Sequence, residues 1–164
     1  MLLKKISFFL LIILFAGYLQ ACSTRRMAVR EFTGIIETGM DALEQDDDLE
    51  LLEKAFPGNI KLLETLLASD PDSEKLLVLL ARFYAGYTFA FLEGDLENIE
   101  LNGDGSEAEE KRTASLRGSV GGYYRKGADY ALKALERRHP GCSEKMRRME
   151  TRDACFLSFT RDDV

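Results

Sequence analysis

The chain has 164 residues, 46% of them hydrophobic, and its 28 acidic against 22 basic side chains give a net charge of −6. That size suits one domain with its own core, and an acidic chain without a clustered basic patch is not built to neutralise nucleic-acid phosphates. The single histidine, and the lack of any nucleophile-elbow, P-loop or zinc motif, argue against an enzyme and against a bound cofactor or metal.

The N-terminus reads as a signal peptide over 1–21: Lys4 and Lys5 form a positive start, and "ISFFLLIILFAGYL" an apolar run. The run is shorter than the roughly 20 residues that span a bilayer. Leu19, Ala21 and Cys22 stand at the spacing of a bacterial lipobox, in which the cysteine is lipidated and becomes the new N-terminus. Several acyl chains on one residue meet the requirement for stable anchoring, so Cys22 is expected to be the lipidation site. The alternative is an ordinary secretory signal with a chance cysteine. Removing 1–21 takes away two lysines and no acids, so the mature charge is −8. Residues 22–29, with Arg25 and Arg26, are expected to be a short solvated tether, the alternative being contact with anionic headgroups. Cys142 and Cys155 remain; beyond the inner membrane they are permitted to pair, or they stay as two thiols.

Residues 30–164 are expected to form the helical domain. Phe32, Ile35, Ile36, Met40 and Leu43 recur at helical spacing. Asp46, Asp47 and Asp48 interrupt that helix and offer an N-cap to the next. Leu49, Leu52, Phe56, Ile60, Leu63 and Leu67 keep helical period, with Pro57 and Gly58 expected to kink or split the segment. "SDPDSEK" is a turn, with Asp72 or Ser73 as the cap of "EKLLVLLARFYAGYTFAFLEG", which is apolar nearly all round and so reads as a buried helix. "LENIELNGDGSEAEE" reads as an exposed loop; its faint likeness to a calcium loop fails where the terminal glutamate would be Lys111. A long helix from Glu107 to Arg138 ends at "HPG", with His139 facing the helix dipole. Gly118, Gly121, Gly122 and Gly127 suggest close helix packing or a local break.

Pro71 and Pro140 lie 69 residues apart, about twice the roughly 34-residue tetratricopeptide period. Leu63 and Leu66 precede the first at the distances at which Leu132 and Leu135 precede the second. Ala128 takes a small-residue place where Asn59 departs from the pattern. The expected class is all-α, antiparallel helix hairpins stacked as a tetratricopeptide-like solenoid. Phe83, Tyr84, Tyr87, Phe89 and Phe91 crowd one helix, and Tyr123, Tyr124 and Tyr130 another. They read as core or as the lining of a pocket, since tyrosine serves where apolar surface also meets water or a ligand.

The stretch "ALEQDDDLELLEKAFPGNIKLLETLLASDPDSEKLLVLLARFYAGYTFAFLEGD", with "YYRKGADYALKALERRHPG", resembles the T-component (TatT) lipoproteins associated with TRAP transporters. The likeness covers about residues 27–164 and is carried by "NIKLLETLL" and "YAGYTFAF". It implies a non-enzymatic, lipid-anchored accessory protein on the periplasmic side of a bacterial envelope, on the inner or outer membrane. It also implies a homotrimer around an aromatic-lined pore that binds the periplasmic solute-binding protein and a hydrophobic or organic-acid ligand. On this likeness the ligand or partner surface is expected at Asn59, Lys61, Glu64, Tyr84, Tyr87, Phe91, Tyr123 and Tyr124. Members of the family continue into further helix pairs, so the chain is expected to be C-terminally truncated. The alternative function is a repeat-type scaffold for envelope assembly with no small-molecule ligand.

Overall fold

A computed structural model describes residues 24–40, 45 and 47–148. Among them all regular structure is helical. The helices are α1 over 24–40, α2 Leu49–Ser69, α3 Glu74–Tyr87, α4 Glu93–Asn102, α5 Glu107–Arg138 and α6 Cys142–Arg147. A π-helical turn, Thr88–Leu92, joins α3 to α4.

The helix starts follow local chemistry. Asp48 Oδ1 accepts from Leu51 N at 2.9 Å, and Ser73, of the two expected candidates, caps α3 by accepting from Leu76 N at 3.4 Å. These bonds satisfy amide groups that a helix start leaves without partners. Ser106 does the same for α5 at Glu109 N, 3.3 Å. At the other end of α5, His139 N–H closes on Leu135 O at 2.7 Å. Gly141 then takes φ +84°, a left-handed conformation that glycine adopts without strain, and α6 begins.

α3 is the centre of the fold. Leu76, Leu77, Leu79, Leu80, Phe83 and Tyr84 are buried on it, with Ile60 and Leu63 of α2 in the same core. Phe56, early in α2, meets Tyr87 and Phe91 at the far end of the α3 axis, so the two helices run antiparallel. α5 returns along α3 in the same sense: Arg137 and Arg138 pair with Asp72 and Glu74 at one end, and Arg117 with Glu100 at the other. Glu74–Asn102 is long and apolar enough to cross a bilayer; its α3 part packs against α2 and α5, while Phe89 beyond it is exposed.

Several expectations change. α2 runs unbroken through Pro57. The proline removes one backbone bond, but Leu52, Phe56, Ile60 and Leu63 lie on one side and hold both halves of the helix against the core. The expected loop after Leu96 is helical as far as Asn102. α5 has no break at its glycines, and only Gly127 is a close contact: a Cβ there would stand 3.3 Å from Tyr84 Cβ and 3.4 Å from Ala81 O. On α1 the inward side is Val29, Thr33, Ile36 and Met40, while Phe32 and Ile35 are exposed; Leu43 lies outside the described residues.

The expected tether at 22–29 is helical from residue 24. Its arginines explain why. Arg25 donates to Ser69 Oγ at 2.7 Å, and Arg30 donates to Asp70 Oδ2 at 3.3 Å, with Arg26 3.9 Å from the other oxygen. The Asp70 side chain is fully buried at the α2–α3 turn, and a buried carboxylate needs positive partners. The signal peptide expected at 1–21 and the anchor Cys22 lie outside the described residues.

Candidate functional site

α2, α3 and α5 bring a run of rings together. Phe56 lies 5.2 Å from Phe83, 6.0 Å from Tyr87 and 5.8 Å from Phe91. Tyr87 in turn lies 5.8 Å from Tyr123, and Tyr123 is 5.3 Å from Tyr84. Tyr84 and Tyr130 stack at 5.8 Å. Centroid spacings of this size with tilted planes are the favourable ones for aromatic pairs.

A polar knot closes one end of the run. Tyr84 donates its hydroxyl to Glu64 Oε1 at 2.6 Å, and Tyr130 reaches the same oxygen at 3.4 Å. Lys61 Nζ holds Glu64 Oε2 at 2.7 Å, one helical turn away on α2. Lys126 Nζ donates to Tyr84 Oη at 3.4 Å and sits 5.4 Å from the centre of its ring. One carboxylate thus joins three helices through tyrosines, with a lysine on either side.

The electrostatics follow from that geometry. Partial burial pulls the Glu64 carboxyl upward, but hydrogen bonds from Lys61 and Tyr84 and the charges of Lys61 and Lys126 outweigh it, so it stays below the ordinary glutamate value. Burial, then the bond to Glu64, pushes the Tyr84 hydroxyl far above the ordinary phenol value. Tyr130 rises too, through burial first, then the charge of Glu64 and the bond to it. Tyr87 rises through burial, with Tyr123, Glu53 and Asp95 adding to it. These hydroxyls stay protonated, and Tyr84 and Tyr130 donate theirs to Glu64.

Of the residues expected at the site, the structure joins Lys61, Glu64, Tyr84, Tyr87, Phe91 and Tyr123 in this one cluster. Tyr84 is 1% exposed, so it shapes the site from behind. Tyr124 stands apart, bonded to Glu93 of α4, and Asn59 is half-buried on α2 outside the contacts above. Phe83 and Tyr130, expected only as core or pocket lining, and Phe56 and Lys126, not expected at the site, complete the cluster. Phe56 carried a signal, since it keeps period with Ile60 and Leu63; Lys126 carried none beyond its place after two tyrosines. Cys142 is buried and disulfide-bonded, and Cys155 lies outside the described residues.

The chain is 28% identical over 102 residues to an uncharacterized protein of Treponema pallidum (strain Nichols). That alignment takes in 62% of this chain and 30% of the relative, so the chain spans about a third of the relative's length. No solved structure matches it. The family model described as TRAP transporter T-component matches residues 45–164, which include α2 through α6 and every residue of the aromatic–carboxylate cluster. The chain belongs to the TRAP transporter T-component family.

Proposed function

We propose that this protein is a non-enzymatic accessory lipoprotein of a TRAP-type uptake system, anchored through Cys22 on the periplasmic side of the envelope. It docks to the system's solute-binding protein as a homotrimer. The supporting observation is family membership over a region whose tyrosines, lysines and glutamate meet in one cluster across three helices. In this reading Lys61, Tyr123, Tyr87 and Phe91 are the reachable edge of the partner surface, and Tyr84 and Glu64 fix its shape. Asn59 and Tyr124 extend that surface at its margins. A hydrophobic or organic-acid ligand lies against the same aromatic face.

The successive antiparallel packing of α2, α3 and α5 supports a tetratricopeptide-like stack, in which each helix pair exposes a face until the next covers it. Residues 1–21 act as a lipoprotein signal, and the domain begins with α1. Cys142 pairs with Cys155.

The test is a pull-down from native membranes with the lipidated chain, followed by mass spectrometry. Enrichment of a periplasmic solute-binding protein and transporter subunits is the expected result. Enrichment of envelope-assembly proteins in their place would contradict it and favour a scaffold. Separately, Cys22→Ala should abolish acyl labelling, and labelling that survives would sink the anchor.

A further inference from the structure

The chain leaves almost no slack between Cys22 and the folded domain. Cys22 stands two residues before Thr24, where α1 is already helical. Two residues of backbone span at most about 7 Å. α1 is held to the domain at this point: Arg25 bonds Ser69, Arg30 bonds Asp70, and Val29 is buried in the core. An acylated Cys22 therefore brings the first turn of α1, and the α2–α3 turn tied to it, down to the lipid headgroups.

The side chains at that end suit such a place. Residues 24–30 carry Arg25, Arg26 and Arg30 and no acid. Arg25 answers a hydroxyl, and Arg26 and Arg30 share one carboxylate, Asp70, so positive charge is in surplus. Arg26 and Arg30 keep 53% and 68% of their side chains exposed. Met27, in the same turn, is 65% exposed. α5 brings Arg137 and Arg138 to this end, matched by Asp72 and Glu74, and α6 adds Lys145 and Arg147 against Glu144. The opposite end is acidic: α4 opens with Glu93 and Asp95, and the first turn of α5 holds Glu107, Glu109 and Glu110. A chain of net charge −6 thus gathers bases at the end nearest Cys22 and acids at the other.

We propose that this basic end rests on the headgroups of an anionic bilayer, a protein–lipid contact beside the acyl chains that fixes how the domain stands. It builds on the Cys22 anchor proposed above. Basic side chains are drawn to such a surface within a Debye length, about 8 Å at physiological salt. Arg25, Arg26 and Arg30 face the lipid phosphates, and Met27 enters the headgroup layer. α3 then carries the aromatic cluster outward, since Glu74 to Tyr87 rises about 20 Å along the helix axis. Phe56, Tyr87 and Phe91 meet at the end away from the membrane.

The test places the acylated mature chain in nanodiscs whose headgroups carry chelated gadolinium, and reads the broadening of amide signals by NMR. The discs are phosphatidylcholine mixed with phosphatidylglycerol, or phosphatidylcholine alone. In the anionic discs the Met27, Ser69 and Arg138 amides should broaden most, while those of Phe91 and Asn102 keep their intensity. That difference should narrow by roughly twofold or more in neutral discs, and in about 1 M salt, where the Debye length is about 3 Å. Arg25→Gln with Arg147→Gln should narrow it in the anionic discs as well, with the α3 shifts unchanged. Equal broadening at both ends of an acylated chain, or a difference indifferent to lipid charge and salt, would overturn this inference and leave the anchor standing. An unmodified Cys22 in the native mature chain, read by mass spectrometry, would overturn the anchor and this inference together.

Discussion

Tyr84 is 1% exposed yet ends in a hydroxyl that has to be satisfied, and Glu64 is the group that satisfies it. Tyr84→Phe removes that donor and keeps the ring, so the loss should be close to one net hydrogen bond to a charged group, about 1.5–3 kcal/mol. Urea unfolding would read it as a lower midpoint at an unchanged slope. Glu64 also sets a pH dependence. Its folded value lies below the ordinary glutamate value, so its contribution is complete above that value and is lost as pH falls through the folded one. Stability should therefore drop on acidification, and Glu64→Gln should flatten part of the drop; an acid limb unchanged in Glu64→Gln would show that other carboxylates carry it. The link from Glu64 to Tyr84 was not legible in the sequence. Twenty residues separate them, and only the angle at which α2 and α3 cross decides which hydroxyl faces which carboxylate.

At the scale of helices, Gly127 and Gly121 make a matched pair. Both sit in α5, where alanine is intrinsically favoured by about 1 kcal/mol over glycine. At Gly121 nothing stands within 4 Å of an added Cβ, so Gly121→Ala should stabilise by about that amount. At Gly127 the added Cβ would press on Tyr84 Cβ at 3.3 Å and Ala81 O at 3.4 Å, both tied to the α3 backbone. The helix gain is then offset by strain between α3 and α5, and Gly127→Ala should lower the melting temperature where Gly121→Ala raises it. The attachment of α1 gives a second test. Asp70→Asn weakens the hold on Arg26 and Arg30, which are themselves largely exposed and free to return to water. Amide exchange should speed up in α1 while α3 keeps its protection. Helix starts were legible because Asp48 and Ser73 act on amides three residues away. The inward side of α1 was not, because apolar residues occupy two flanks of that helix and α2 and α3 choose between them. The π-helical turn was equally hidden. Thr88 donates to Tyr84 O at 2.6 Å from a buried position, and the sequence alone does not show that such a turn widens there.

At the scale of the molecule, the family match and the structure meet over α2 to α6. The all-helical class was legible in the three- and four-residue spacing of apolar side chains, and the family in "NIKLLETLL" and "YAGYTFAF". Those segments meet in space: Lys61 and Glu64 come from the first, Tyr84, Tyr87 and Phe91 from the second, and α5 adds Tyr123 and Tyr130. A surface assembled from three helices depends on all three being packed, so a helix-disrupting change in α5 should weaken the proposed docking even where it touches no partner. The most direct test of the account is titration calorimetry between the purified mature chain and the TRAP solute-binding protein recovered with it. The account predicts saturable binding, weakened by roughly tenfold or more when Lys61→Glu and Tyr123→Ala are combined at the edge of the cluster. No heat of binding, or an affinity indifferent to both substitutions, would contradict it.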